Sequence, residues 1–254
     1  MTQNDGFVFR LENANFSYFT DAPALNGVSL EIRRGERVCV LGANGCGKST
    51  LLKIFAGLLF PQSGSFSAFG EPVSRAQTED DAFAGAYHRK VGFIFQSADV
   101  QLFCGSVRDE VAFGLLQQGL PDKEVRRRSG DVMRMLGIEL LADKTPFRLS
   151  GGEKKKVALA AVLAMNPDVL ILDEPTNGLD PRTQSWLVRL LGALHGAGKT
   201  IVSSTHNLEL VTRISDRAIL LSEDHTVAAD RPTAELTGDL PLLRSVNLID
   251  DDPV

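Results

Sequence analysis

Gly42, Gly47, Lys48 and Ser49 stand in the order G-x-x-x-x-G-K-[ST] within GANGCGKST at residues 42–50. That spacing suits the binding of phosphate. Glycines let the backbone curl so that successive N–H groups aim at phosphate oxygens, and a following helix N-terminus adds a favourable dipole. Lys48 is placed to bridge the β- and γ-phosphates of a nucleoside triphosphate, and the Ser49 hydroxyl to coordinate Mg²⁺. Gly45 and Thr50 complete the loop. A second group lies in VLILDEP, where four apolar residues predict a buried strand. Asp173 and Glu174 emerge at its carboxyl end, where α/β proteins place their sites. Asp173 is suited to hold Mg²⁺ and Glu174 to polarise an attacking water as general base. Adjacent acids after a strand are ordinarily a solvated turn; the phosphate loop elsewhere in the chain favours the catalytic reading.

The elements needed to position these residues follow from periodicity. FVFRLENANFSY and GVSLEI predict strands around a turn containing Asp21 and Pro23, and RVCVLG predicts a strand buried on both faces. A helix is expected from Lys48 through LLKIFAGLL, closed by Pro61 and Gly64. GSFSAFG and KVGFIFQ predict further strands, separated by a polar stretch, residues 71–88, whose weak periodicity assigns no element. Between Ser106 and Lys144, SVRDEVAFGLLQQ and PDKEVRRRSGDVMRMLG carry helical periodicity and read as an insertion within an α/β domain. Another helix follows LSGGE. TQSWLVRLLGALHGAG is helical, and KTIVSSTH and RAILL are strands. Strands alternating with helices imply a mainly parallel sheet covered on both faces. The end of the chain, LIDDDPV, reads as a loosely attached acidic tail.

Composition narrows the partners. The chain of 254 residues holds 27 Lys+Arg against 32 Asp+Glu, a net charge of −5, which argues against a nucleic-acid partner. Its longest apolar runs, such as VALAAVLAM, are too short to span a bilayer, and the N-terminus has no basic or apolar leader pattern. Cys39, Cys46 and Cys104 show no metal-ligand spacing and read as reduced thiols of a cytoplasmic protein. Any role at a membrane must therefore come through a partner.

LSGGE at residues 149–153 resembles the signature of ABC ATPases, with Ser150 standing 23 residues before Asp173. Glu153 occupies the place where the usual signature has Gln. The resemblance implies a P-loop NTPase (RecA-like) α/β fold: a mainly parallel sheet with an antiparallel β subdomain and a helical signature subdomain. It implies one ABC ATPase domain over 1–222, with the helical subdomain inserted at about 97–160, and a C-terminal extension over 223–254. The ligands it implies are ATP and Mg²⁺. Ser150, Gly151 and Gly152 would then cap the γ-phosphate held by the opposite subunit. Gln96 resembles the Q-loop glutamine that senses Mg²⁺ and couples to the membrane partner. Asp180, in NGLDP, resembles the D-loop aspartate, and His206, in SSTHN, the switch histidine at the γ-phosphate. Tyr18 resembles the aromatic that stacks on adenine, with Phe16 and Phe19 as rivals, and Asn44 a loop position that approaches the γ-phosphate. Cys46 replaces the commoner Ser or Gly of the loop and is read as a tolerated small side chain, ahead of a thiol with lowered pKa. The runs Lys154–Lys156 and Arg126–Arg128 are read as solvated helix faces.

The stretch VGFIFQSADVQLFCGSVRDEVAFG, with D-x-Q-L-F and then V-x-D-E-V-A-F-G, resembles energy-coupling-factor ATPases, as does RLSGGEKKKVALAAVLAMNP. That resemblance implies an importer of transition-metal ions, cobalt or nickel favoured, with a vitamin such as biotin as the alternative. The partners implied are a second ATPase chain in a homodimer, a transmembrane coupling protein and a substrate-binding membrane protein. The chain would then work peripherally at the cytoplasmic face of the cell membrane. A non-transport ABC ATPase is the rival reading. A chromosome-maintenance ATPase would carry a long coiled coil, and a ribosome-associated one a second cassette; neither is present in this sequence.

Overall fold

The computed structural model describes residues 6–20 and 22–250. Asp21 of the predicted first turn, the five residues before Gly6 and the acidic end at 251–254 lie outside them. Phe7–Phe19 (β1) pairs antiparallel with Ala22–Arg33 (β2), as the two predicted strands require. Arg37–Leu41 (β3) leads through the glycine-rich loop into Lys48–Phe55 (α1). That helix is shorter than the apolar run suggests, because Gly57 turns the chain out of it at φ +70°. Ser63–Ala68 (β4) and Glu71–Pro72 (β5) extend the antiparallel sheet in the order β2-β1-β4-β5.

The polar stretch at 71–88 is not without structure. After β5 it forms Arg75–Thr78 (α2) and most of Asp81–Lys90 (α3). Asp80 caps α3 by accepting the Ala82 N–H, and Phe83 stacks on the buried Tyr87 at 6.2 Å between centroids. Two aromatics one turn apart give too narrow an apolar stripe to stand out in the sequence.

Val91–Ile94 (β6) opens the second half of the main sheet. Val107–Gln117 (α4), Asp122–Leu136 (α5) and Gly151–Ala164 (α6) then pack together before Val169–Leu172 (β7). The remaining elements are Pro181–Gly196 (α7), Thr200–Thr205 (β8), Leu208–Ile214 (α8), Arg217–Leu221 (β9), Val227–Pro232 (β10), Thr233–Gly238 (α9) and Leu240–Ser245 (α10). The six-stranded sheet runs β10-β9-β3-β8-β7-β6, parallel throughout except for the antiparallel β10–β9 edge. The chain therefore has the expected α/β architecture of a P-loop NTPase.

This sheet divides two cores. Val38 and Val40 of β3, with Val169 and Ile171 of β7, belong to the core shared with the antiparallel sheet and α1. Cys39 and Leu41, with Leu170 and Leu172, belong to the core beneath the helices. A strand buried on both faces cannot alternate polar and apolar residues, which is why RVCVL and VLIL read as continuous apolar runs. Phe9 stacks on Phe55 at 4.8 Å and ties the antiparallel sheet to α1. Burial of each such ring is worth roughly 1.5–3 kcal/mol. The C-terminal elements join the second core through Leu236, Leu243 and Val246.

Candidate functional site

β3 ends at the core of the main sheet and delivers the loop 42–47 to its carboxyl edge. Gly47 has φ +108°, and a Cβ there would strike the Ala24 carbonyl, so the loop closes on β2 only with glycine. Gly47 caps α1 without any side-chain acceptor, which leaves the first-turn N–H groups turned toward the loop. Lys48 is 6% exposed; its Nζ donates to the Gly42 carbonyl at 2.8 Å and the Ala43 carbonyl at 2.9 Å.

The same ammonium lies 3.8 Å from Glu174 Oε1. Glu174 follows β7 at φ +41°, a left-handed conformation that a glutamate adopts only where its surroundings hold it. Ser204 of β8 does the holding: its hydroxyl accepts the Glu174 N–H at 2.9 Å and donates to Asp173 Oδ1 at 2.6 Å. Both carboxylates and Ser204 are buried. His206, beyond the end of β8, places Nδ1 2.9 Å from Glu174 Oε1 while its ring stays half exposed.

These groups border a cavity of about 600 Å³. Tyr18 and Phe19 form one wall, the loop from Asn44 to Thr50 the floor, and Gln96, Glu174 and His206 the far side. Of the rival aromatics, Phe16 is 9% exposed and packs edge-on beneath Tyr18, so it does not reach the cavity. Tyr18 is anchored through its hydroxyl, 3.3 Å from Thr50 Oγ1. Asn177, which the sequence reading passed over, also lines the space. Asn44, Gly45, Gly47, Lys48, Ser49 and Thr50 thus come together with Tyr18, Gln96, Glu174 and His206. Asp173 sits behind them with Ser204, and Gly42 contributes its carbonyl. The arrangement can hold a triphosphate on N–H groups and an ammonium, with a carboxylate and an imidazole facing its end.

Ser150, Gly151, Gly152 and Asp180 do not border this cavity. Ser150 caps α6 in a reciprocal box: Glu153 N–H donates to its Oγ, while Glu153 Oε2 accepts both the Ser150 N–H and the Ser150 hydroxyl at 2.8 Å. The Ser150 N–H, first, and its hydroxyl hold the Glu153 carboxyl below its ordinary range. A single side-chain oxygen accepts both, so Glu153 fills the capping role that Gln would also fill at this position. Asp180 caps α7 by accepting the Thr183 hydroxyl first, then the Thr183 and Arg182 N–H groups, which lower its pKa. Gly152 fits against that threonine: a Cβ would lie 3.2 Å from Thr183 Oγ1.

One alternative falls and one reading is corrected. Cys46 is 2% exposed and burial pushes its thiol pKa up, so the lowered-pKa alternative fails. Lys154–Lys156 is not a solvated face. Lys155 is buried, Lys154 Nζ is 2.6 Å from Asp99, and Lys156 lies over the Trp186 ring. Arg127 and Arg128 do remain at the surface, paired with Glu124.

Beyond Gln96, the segment that follows β6 presents Val100 and Phe103 outward, with Phe103 edge-on to Phe113 at 4.9 Å. Glu110 is buried and accepts the N–H groups of Phe103 and Cys104, so the acid of DEVAFG shapes this surface from beneath. Among the described residues, no helix is long and apolar enough to cross a membrane.

Comparison with known proteins agrees with this fold. Residues 25–177 match the family model described as ABC transporter. The nickel import ATP-binding protein NikO of Rhodobacter capsulatus is 48% identical over 95% of this chain and 95% of its own length. The energy-coupling factor transporter ATP-binding protein EcfA of Methanothermobacter thermautotrophicus is 39% identical over 95% of this chain and 76% of its own. The solved structure of cbiO1 from Clostridium perfringens, part of the ABC transporter complex cbiONQ, superposes with a TM-score of 0.81 at 37% identity, covering 96% of each chain.

Proposed function

The chain belongs to the ABC transporter family as an ATPase of the energy-coupling-factor type, and on that premise we propose that two copies of it drive uptake of a transition-metal cation, nickel or cobalt. The observation that carries the two-copy reading is the division of the site. Lys48, Gln96, Glu174 and His206 gather at one cavity, while the Ser150-capped end of α6 and Asp180 do not border it. The α6 terminus offers the N–H groups of Gly151 and Gly152 to a ligand that this chain's own loop does not hold, and the Ser150 hydroxyl joins them on turning away from Glu153. Head-to-tail closure of a second copy supplies that ligand.

In this reading the loop N–H groups and Lys48 bind the β- and γ-phosphates, and Tyr18 stacks on the adenine. Glu174 takes the proton of the attacking water at its carboxylate, and His206 steadies both that carboxylate and the γ-phosphate. Ser150, Gly151 and Gly152 of the partner copy close over the γ-phosphate. Ser49, Asp173 and Gln96 would offer oxygen ligands, with the Asp173 carboxylate held by the Ser204 hydroxyl, a set that fits Mg²⁺. Mg²⁺ bound there neutralises phosphate charge. Loss of the γ-phosphate removes what joins the two copies, and the dimer reopens. The exposed patch of Val100 and Phe103, contiguous with Gln96 along the chain, transmits that motion to a transmembrane coupling protein. The chain thereby works at the cytoplasmic face of the membrane without entering it.

The preference for nickel or cobalt rests on the resemblance to nickel and cbiO-type systems. A deletion strain is expected to lose ATP-dependent uptake of labelled nickel or cobalt, recovered with the wild-type chain and not with Glu174→Gln. Undiminished uptake of both metals would overturn the metal reading, and selective loss of biotin uptake would replace it with the vitamin alternative.

A further inference from the structure

Lys155 lies one turn into α6, at the centre of three consecutive lysines, yet it is 3% exposed. Its neighbours reach surface partners, Asp99 and Trp186. Lys155 turns inward instead. Its Nζ donates to the backbone carbonyls of Phe95 at 3.0 Å and Gln96 at 3.1 Å. Burial depresses its pKa to about 8, opposed by the charge of Asp173. An ammonium is an expensive group to enclose, and an apolar residue of the same length would fill this space without that cost. What an apolar residue cannot supply is the pair of hydrogen bonds.

Those bonds join two pieces of the molecule. Gln96 borders both the cavity of about 600 Å³ and a smaller one of about 200 Å³ that Lys155 and Gly151 also line. At the other end, the Ser150–Glu153 box fixes the start of α6, and Gly152 rests on Thr183 next to Asp180. A single helical turn separates the capped terminus from Lys155, so the two are rigidly connected. We propose that Lys155 is a positioning residue that makes Gln96 and the Ser150-capped end of α6 move as one piece. A shift of Gln96 toward bound nucleotide is passed through the two carbonyls to α6. Because that terminus serves the partner's nucleotide in a head-to-tail dimer, the contact also links the two ATP sites; this second step rests on the proposed head-to-tail closure.

The chain's single tryptophan, Trp186, lies against Lys156 and reports on α6 from the neighbouring residue. At a concentration where the chain sediments as a monomer, titration with ATP·Mg²⁺ is expected to change Trp186 fluorescence in the wild type. Lys155→Met should bind a fluorescent ATP analogue within about twofold of wild type while losing most of that amplitude. Lys155→Arg, which keeps charge and donors, should restore it. Full amplitude in Lys155→Met, or none in the wild type, overturns the proposal. Should Lys155→Met not fold, Lys155→Gln is read in its place: its shorter, neutral side chain cannot keep both carbonyl bonds, so partial or full loss supports the tie and unchanged amplitude refutes it. In the dimer, the Hill coefficient for ATP hydrolysis is expected to fall toward one in Lys155→Met. A coefficient already at one in the wild type, with the monomer signal still dependent on Lys155, would sink the two-site step and leave the tie standing.

Discussion

Replacement of Ser204 by alanine tests how the two carboxylates are held. The hydroxyl is 0% exposed and serves two partners at once, the Glu174 N–H at 2.9 Å and Asp173 Oδ1 at 2.6 Å. Ser204→Ala removes one atom and little volume, so cavity formation is minor. It strands a buried N–H and a buried carboxylate oxygen, each at a cost of about 1–3 kcal/mol, with the charge-assisted bond at the upper end. The total is about 3–4 kcal/mol. At roughly 2–4 °C per kcal/mol for a chain of this size, Tm should drop by about 6–16 °C. Turnover should suffer separately, because the left-handed backbone at Glu174 loses its anchor while the phosphate loop is untouched. We expect kcat to fall by about ten- to a hundredfold with ATP affinity within about twofold. Thermal denaturation, steady-state ATPase and nucleotide titration read the three quantities. A lower Tm with unchanged kcat would refute the positioning role, and an unchanged Tm would refute the hydrogen-bond reasoning itself.

Lys155 gives a pH signature. Its folded pKa of about 8 lies below the ordinary 10.5, so between these values the unfolded chain binds a proton that the folded chain does not. Stability contributed at this site therefore rises as pH increases from about 8 to 10.5, by up to roughly 3 kcal/mol, and the enclosed charge is costly below that window. Urea denaturation at pH 7.5 and pH 10 should show wild type gaining on Lys155→Met by an amount on the order of 2 kcal/mol; parallel behaviour would contradict the assignment. Phe103→Ala, at an exposed ring, should leave ATPase of the isolated chain unchanged and weaken stimulation by the membrane subunits; equal stimulation would remove Phe103 from that contact. Cys46, enclosed and with a raised pKa, should react with maleimide far more slowly in the folded chain than after denaturation, and rapid modification with loss of ATP binding would show the thiol to be accessible.

Much of the site was legible because its chemistry depends on backbone geometry that only particular residues permit. Gly47 closes on Ala24, and Asp173 and Glu174 follow a strand whose burial on both faces shows as an unbroken apolar run. The mainly parallel character of the main sheet followed from strands alternating with helices, whereas its strand order did not. α3 was not legible, since Phe83 and Tyr87 are its main apolar contacts, nor was β10, whose VAADRP has an edge strand's mixed polarity. Ser204 and Lys155 escaped for another reason. A serine in SSTH and a lysine in KKK look like any others, and their partners lie 31 and 60 residues away. Glu153 was visible as a departure from the expected Gln, but the capping box that accommodates it became apparent only with α6 in place.

The central claim is that each ATP site is completed by a second copy of the chain, and mixed dimers test it most directly. Lys48→Ala and Ser150→Ala should each be inactive as homodimers. Mixed in equal amounts, they form heterodimers in which one site joins an intact Lys48 loop to an intact Ser150 terminus. The account predicts recovery of ATPase activity, up to about a quarter of wild type if sites act independently, because half the dimers are mixed and each holds one good site. A mixture no more active than its separate components would contradict it.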